Sequence, residues 1–164
     1  MKKIISLFFV LFCIVSAHAQ LKVKAKCDDF YIDILGGTVN NTRPDYTMGQ
    51  IKTKMPCFTS SDEEGSTTAK CGGTVFYKDR DVYFYTDRDY IEIGEKFKGR
   101  MSVPLMGMLR KGAFKYFGQP MLKDDTWDAF QTAYGLAVLH YNKAGKVNLI
   151  QLTTKNTGNL QLCE

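Results

Sequence analysis

The residues of this chain whose types could do chemistry are few: one histidine past the first 19 residues, two Asp-Arg-Asp tripeptides, and four cysteines. His140 sits beside Tyr141 in an apolar run and has no histidine neighbour to work with. It reads as a half-buried or solvent-facing strand residue rather than a general base. Asp79-Arg80-Asp81 and Asp87-Arg88-Asp89 bracket Val82–Thr86. Five extended residues at about 3.3 Å each hold the two acidic groups roughly 17 Å apart. They cannot share one cation, and the interposed arginines oppose it, so Arg–Asp pairing in solvated turns is expected. Asp62-Glu63-Glu64-Gly65 lacks the alternating oxygen ligands of a calcium loop. No G-x-S-x-G, Gly-rich phosphate loop or H-E-x-x-H occurs. No catalytic centre, metal or cofactor is therefore expected, and a small extracytoplasmic hydrolase is the weakest functional class.

The cysteines need a compartment before they can be read. Met1-Lys2-Lys3, the apolar run Ile4 to Ala17 and Ala17-His18-Ala19 have the layout of a secretory signal peptide over residues 1–19. The run is shorter than the 18 or so apolar residues that span a bilayer, so no membrane insertion follows cleavage. Phe12 precedes Cys13 where lipidation wants a small residue. Cleavage removes two of 22 basic residues and none of 17 acidic ones, lowering the surplus from +5 to +3. That excess is too small and scattered for nucleic acid. Lys22, Lys24 and Lys26 read as a tail or an edge strand. The destination is the periplasm or the medium.

Cys27, Cys57, Cys71 and Cys163 remain, an even number in an exported chain, and so a disulfide framework. Zinc is disfavoured, because there is no C-x₂-C pair and one histidine. Of three possible connectivities the preferred one is Cys57–Cys71, which would close the Ser/Thr/Glu/Gly-rich Thr59–Lys70 stretch. Cys27–Cys163 would then tie the start of the fold to its end.

The elements that must position these groups follow from periodicity. Phe30–Leu35 reads as a strand ended by Gly36-Gly37, with Thr38-Val39 as a short return. Thr47 is placed to cap a helix with Met48, Ile51 and Met55 on one stripe, stopped by Pro56. From Gly72 the period becomes two: Thr74–Tyr77, Val82–Thr86 and Tyr90–Ile93 form an antiparallel meander. Ser102 is expected to cap a second helix over Pro104–Phe117, ended by Gly118 and Pro120. Trp127–Phe130, Thr132–Tyr141 and Val147–Thr153 are three more strands. Met48-Gly49-x-Ile51-Lys52 and Met106-Gly107-x-Leu109-Arg110 rhyme at a spacing of 58 residues, an internal duplication signal. The expected fold class is α+β, two helix-plus-antiparallel-meander repeats over 20–99 and 100–164, helices packed on one face of the sheets.

Alternation also sorts the aromatics. If Val82, Phe84, Ile91 and Ile93 meet a helix, then Tyr83, Tyr85 and Tyr90 share the opposite face, joined by Tyr77. Tyrosines on an open sheet combine large contact area with a wet polar end, the side chain favoured at protein interfaces. Arg80, Arg88 and Asp89 would form a charged rim.

Leu109 to Phe117, Gly118-Gln119-Pro120, Trp127, Tyr134 to Tyr141, Gly145-Lys146-Val147 and Leu149 to Leu152 make a sequence of helix, Gly-x-Pro, aromatic strand, then hydrophobic–turn–hydrophobic. In this the chain resembles the β-lactamase-inhibitor-protein-like class and its single-repeat relatives among outer-membrane assembly lipoproteins. The resemblance implies an exported, non-catalytic domain that binds another protein through the exposed sheet face. The second half departs from it in lacking a loop cysteine pair, and no lipidation cysteine follows the signal. The expected function is that of an inhibitor or immunity-type protein that sterically blocks a toxin or enzyme, with an envelope-assembly module as the alternative.

Overall fold

The computed structural model describes residues 27–65 and 71–161; residues 1–19, expected to be a signal peptide, and Lys22, Lys24, Lys26 and Cys163 lie outside them. Eleven strands and two helices are present among the described residues: β1 (Tyr31–Asp33), β2 (Thr38–Val39), α1 (Met48–Lys54), β3 (Ser60–Asp62), β4 (Thr74–Tyr77), β5 (Val82–Tyr85), β6 (Tyr90–Gly94), β7 (Arg100–Met101), α2 (Arg110–Phe117), β8 (Leu122–Lys123), β9 (Trp127–Gln131), β10 (Leu136–Tyr141) and β11 (Val147–Thr153). Eight strands form one antiparallel sheet in the order β3-β4-β5-β6-β11-β10-β9-β8, and β2-β1-β7 form a second.

The expected α+β architecture of helix-packed repeats is overturned. Helices hold 12% of the described residues and strands 35%. Two helices of seven and eight residues are only about 10 and 12 Å long, whereas eight strands span about 34 Å. They cannot cover that width. The inner face of the large sheet is closed instead by the small sheet, through Phe30, Ile32, Ile34 and Val39, by Val103 and Leu105, and by Met48 and Ile51 of α1 and Ala113 of α2.

The second helix is capped by Leu109, seven residues later than the expected Ser102. Val103 and Leu105 are buried while Pro104 between them is exposed, an alternation that suits extended chain. Gly107 has φ 76°, and Leu109 bridges to Lys146. The two rhyming Met-Gly segments therefore differ in structure, one helical and one irregular. Thr47 caps α1 as expected, in a reciprocal capping box with Gln50. The strand predicted over Thr132–Tyr141 starts only at Leu136, because Gly135 turns the chain at φ 154°. A Cβ there would lie 2.1 Å from the carbonyl oxygen of Thr153, so no side chain fits.

Both disulfide pairings expected from spacing are corrected: the bond is Cys27–Cys57, with Cα atoms 5.7 Å apart. Such bonds persist in oxidising compartments outside the cytoplasm. No described helix is long and apolar enough to cross a membrane.

Arg110 opens α2, where the helix dipole disfavours a cation. It is held by the fully buried Asp128, with Nε to Oδ2 at 2.8 Å and Nη2 to Oδ1 at 2.5 Å. The guanidinium also donates to the carbonyls of Asp124 and Asp125 and lies 4.9 Å from the Tyr141 ring centre. Tyr141 donates its hydroxyl to the same carboxylate at 2.9 Å. Arg110→Met would leave that carboxylate buried and opposed only by a phenol. A loss of about 3–5 kcal/mol is expected, with part of it recovered by adding Asp128→Asn, as read from urea unfolding midpoints.

Candidate functional site

Strand alternation gives the large sheet an inner face, already described, and an outer one. Cross-strand register aligns Phe76 with Tyr83, Tyr83 with Glu92, and Glu92 with Gln151. This is one row on the outer face across β4, β5, β6 and β11. His140 on β10 lies diagonal to Gln151, between Leu149 and Trp127. Phe76, Tyr83, Tyr85, Glu92, His140, Leu149 and Trp127 are each half-buried.

Hydrogen bonds tie the row together. The Gln151 amide nitrogen donates to Glu92 Oε2 at 3.3 Å. Its oxygen faces His140 Nε2 at 3.1 Å. Phe76 meets Tyr83 edge to face at 5.7 Å, and Tyr85 packs on Tyr90 at 4.6 Å. Tyr83 donates to Asp81 at 3.0 Å, and the other oxygen of that carboxylate accepts from the Lys96 amide.

The four tyrosines expected to share one face divide between the two faces of the sheet. Tyr83 and Tyr85 stand on the outer face. Tyr90 shares that face but is only 3% exposed, packed on Tyr85. Tyr77 is corrected outright: it is fully buried in the inner core between Phe30 and Phe84, and its hydroxyl donates to the Met55 carbonyl at 2.6 Å. The reason is register, since Tyr77 pairs with the inner residue Val82.

The charged rim divides. Arg80 pairs with Asp79 at 3.5 Å and lies over the Phe30 ring, on the inner side. Arg88 donates to Gln161, and Asp89 pairs with Lys155. Both of these hold the C-terminal run rather than a free rim. Each Asp-Arg-Asp places its last residue in the left-handed region, Asp81 at φ 59° and Asp89 at φ 52°. The repeated tripeptides are tight hairpin turns. Asp87 accepts from the Gly65 and Gly73 amides, which hold its carboxyl below the ordinary carboxylate range.

The far part of the outer face is apolar. Ala129, Leu136 and Val138 are buried there under Leu122, Trp127 and Leu160. Glu92, Gln151, Phe76 and Leu149 were not singled out from sequence. The signal was present in alternation, since Glu92 stands out of phase with Ile91 and Ile93, but pairing it with Gln151 requires the β6–β11 register. Among the described residues no three His, Cys, Asp or Glu side chains converge as a metal site. The recess beside the disulfide, about 100 Å³ between Phe30, Asn40, Met55 and Tyr77, is smaller than the roughly 300–1,000 Å³ of small-molecule sites.

No family model, curated protein or solved structure matches this chain.

Burial raises the tyrosines of both faces above their ordinary value of 10. Tyr85 is pushed up to about 12, and Tyr77, Tyr90 and Tyr141 are raised further by the same cause. The fold favours the neutral phenol, so this stability is complete below pH 10 and is lost as pH climbs through 12. The thermal midpoint should fall over that window as absorbance at 295 nm grows, and Tyr85→Phe should blunt the fall. A midpoint flat to pH 12 would contradict it.

Proposed function

We propose that this protein is an exported, non-enzymatic binding module of the inhibitor or immunity type, acting in the periplasm or outside the cell. It blocks another protein, a toxin or an enzyme met there, by laying the outer face of its large sheet over it. The observation that carries the reading is the row of Phe76, Tyr83, Glu92, Gln151 and His140. It offers the partly exposed aromatic surface of Phe76 and Tyr83 beside Glu92, which with His140 is tied in place by the buried Gln151.

Several physical features support this. Half-exposed aromatics on a stiff sheet lose little side-chain freedom on docking, so the contact they make is not cancelled by ordering. The Glu92–Gln151–His140 chain gives a partner a fixed pattern of charge and hydrogen-bond groups to match, which contributes selectivity. The steric mechanism needs no reacting group.

The test is affinity capture by the mature, oxidised protein from its own cell envelope and culture fluid. Replacing Tyr83 and Tyr85 together by Ala should weaken the retained complex about 10- to 100-fold while leaving the circular dichroism spectrum unchanged. A soluble one-to-one complex sensitive to this change is the expected result. Undiminished capture by the double variant removes the outer face from the reading, and retention of an outer-membrane assembly removes inhibition.

A further inference from the structure

Beside the small sheet a polar recess of about 360 Å³ opens between Asp33, Thr38, Asn41, Arg43, Tyr46 and Tyr134. We propose that it binds one sugar unit of a neutral oligosaccharide, with the next unit lying beyond Tyr46 along α1. None of these residues belongs to β4, β5, β6 or β11, so the site is additional to the docking surface.

The walls follow from register and turns. Asp33 pairs with Thr38, one residue out of phase with the core pair Ile32 and Val39. Both side chains therefore leave the small sheet on the side away from the core. Asn40 and Asn41, at φ 48° and 56°, make a two-residue turn closed by Val39–Thr42 hydrogen bonds of 3.0 and 2.8 Å. The Lys54 ammonium donates to the Asn41 carbonyl at 2.8 Å, which ties that turn to α1. The Ala133 amide donates to the Leu35 carbonyl at 2.8 Å, bringing Tyr134 in from the β9–β10 turn. Hydrogen bonds thus hold the three walls in place without a ligand.

Arg43 is fixed as a donor. Its Nε donates to Asp45 Oδ1 at 2.9 Å and its Nη2 to Oδ2, and this contact holds the Asp45 carboxyl below its ordinary value. The guanidinium lies 4.9 Å from the Tyr134 ring centre and 6.0 Å from that of Tyr46. Among the described residues its Nη1 makes no hydrogen bond. Asp33 is fixed as an acceptor, since its Oδ1 accepts from the Gly36 amide at 3.0 Å. A Cβ on Gly36 would lie 2.4 Å from Oδ2, so glycine keeps that second oxygen open.

A sugar presents hydroxyls that both donate and accept, and a C–H face that is apolar. Asp33 accepts, Arg43 donates and Asn41 does both. Tyr134, 49% exposed, offers an apolar ring with a polar tip. Arg43 and Lys54 balance Asp33 and Asp45, so neither an anion nor a cation is favoured. An apolar ligand would strip water from these polar groups and replace none of its hydrogen bonds. The volume falls within the roughly 300–1,000 Å³ of small-molecule sites. Beyond Tyr46 a second recess of about 400 Å³ is lined by Gly49, Gln50 and Thr53. Two recesses on either side of one tyrosine suit consecutive units of a chain.

Titration of the oxidised, full-length mature protein with maltotriose, cellotriose and laminaritriose, followed in nitrogen–proton correlation spectra, tests the proposal. At least one should move the Arg43 Nε–H and the Ala133 and Tyr134 amide signals saturably. Tyr134→Ala should weaken that binding about 10-fold. A Cβ on Gly49 meets nothing within 4 Å, so Gly49→Trp fills the second recess without disturbing α1. It should lower affinity for the trisaccharide to that of the matching monosaccharide, whose own binding stays unchanged. No saturable shift with any of the three sugars overturns the proposal, as does undiminished binding by Tyr134→Ala. Tighter binding of trialanine at the same signals also overturns it, in favour of a peptide site. None of these outcomes depends on whether the outer face captures a partner.

Discussion

Five residue pairs between β6 and β11, from Leu149 opposite Gly94 to Thr153 opposite Tyr90, are the constraint on which the rest of the protein depends. Without them the chain would hold two small meanders, each with an exposed edge in its middle. With them the inner residues Ile91, Ile93, Ile150 and Leu152 become the centre of one core. The outer residues Glu92 and Gln151 come within hydrogen-bond reach at the same stroke. A slip of one residue would carry all six to the wrong faces. Gly94 also needs to be glycine here, since a Cβ would press to 2.2 Å from the Asp81 carboxylate that anchors Tyr83.

The two faces are built by different means. The inner face is closed by hydrophobic burial from several short elements, none of which is wide enough alone. Its buried charge Asp128 is tolerated because Arg110 and Tyr141 both reach it, and that same contact fixes α2 against the β8–β9 turn. Among the described residues the outer face has no such covering layer. Its order comes from cross-strand pairs, from the Asp81 and Asp87 turns at the strand ends, and from the C-terminal run lying over its apolar part. Stiffness without full burial is the property a docking surface needs, because ordering has been settled in folding and is not charged again on association.

Strand positions were legible because β-branched and aromatic residues at period two leave little choice of face. Thr74–Tyr77 and Val147–Thr153 run as read, and Val82, Phe84, Ile91 and Ile93 turn inward as expected. The helix over Pro104–Phe117 failed for a definite reason. Leu105, Leu109 and Ala113 suit a helical stripe, but Val103 and Leu105 equally suit an extended run, and the left-handed Gly107 selects the second. The tyrosine face failed at Tyr77 because alternation within one strand cannot tell inside from outside. Only pairing with Val82 does that. The cysteines were misjoined because loop composition says nothing about where β1 carries Cys27, which is beside the end of α1.

By itself the sequence determined the longer strands, the turns between them, the capped first helix and the existence of sulfur cross-links, all of which depend on near neighbours along the chain. Tertiary structure alone decided the union of β6 with β11, the partners of the cysteines, the burial of Tyr77 and Tyr90, and the assembly of Glu92, Gln151 and His140 into one row. These bring together residues as many as 63 positions apart, as Tyr90 and Thr153 are. Such contacts are chosen by the burial free energy of the whole sheet, which no local pattern contains.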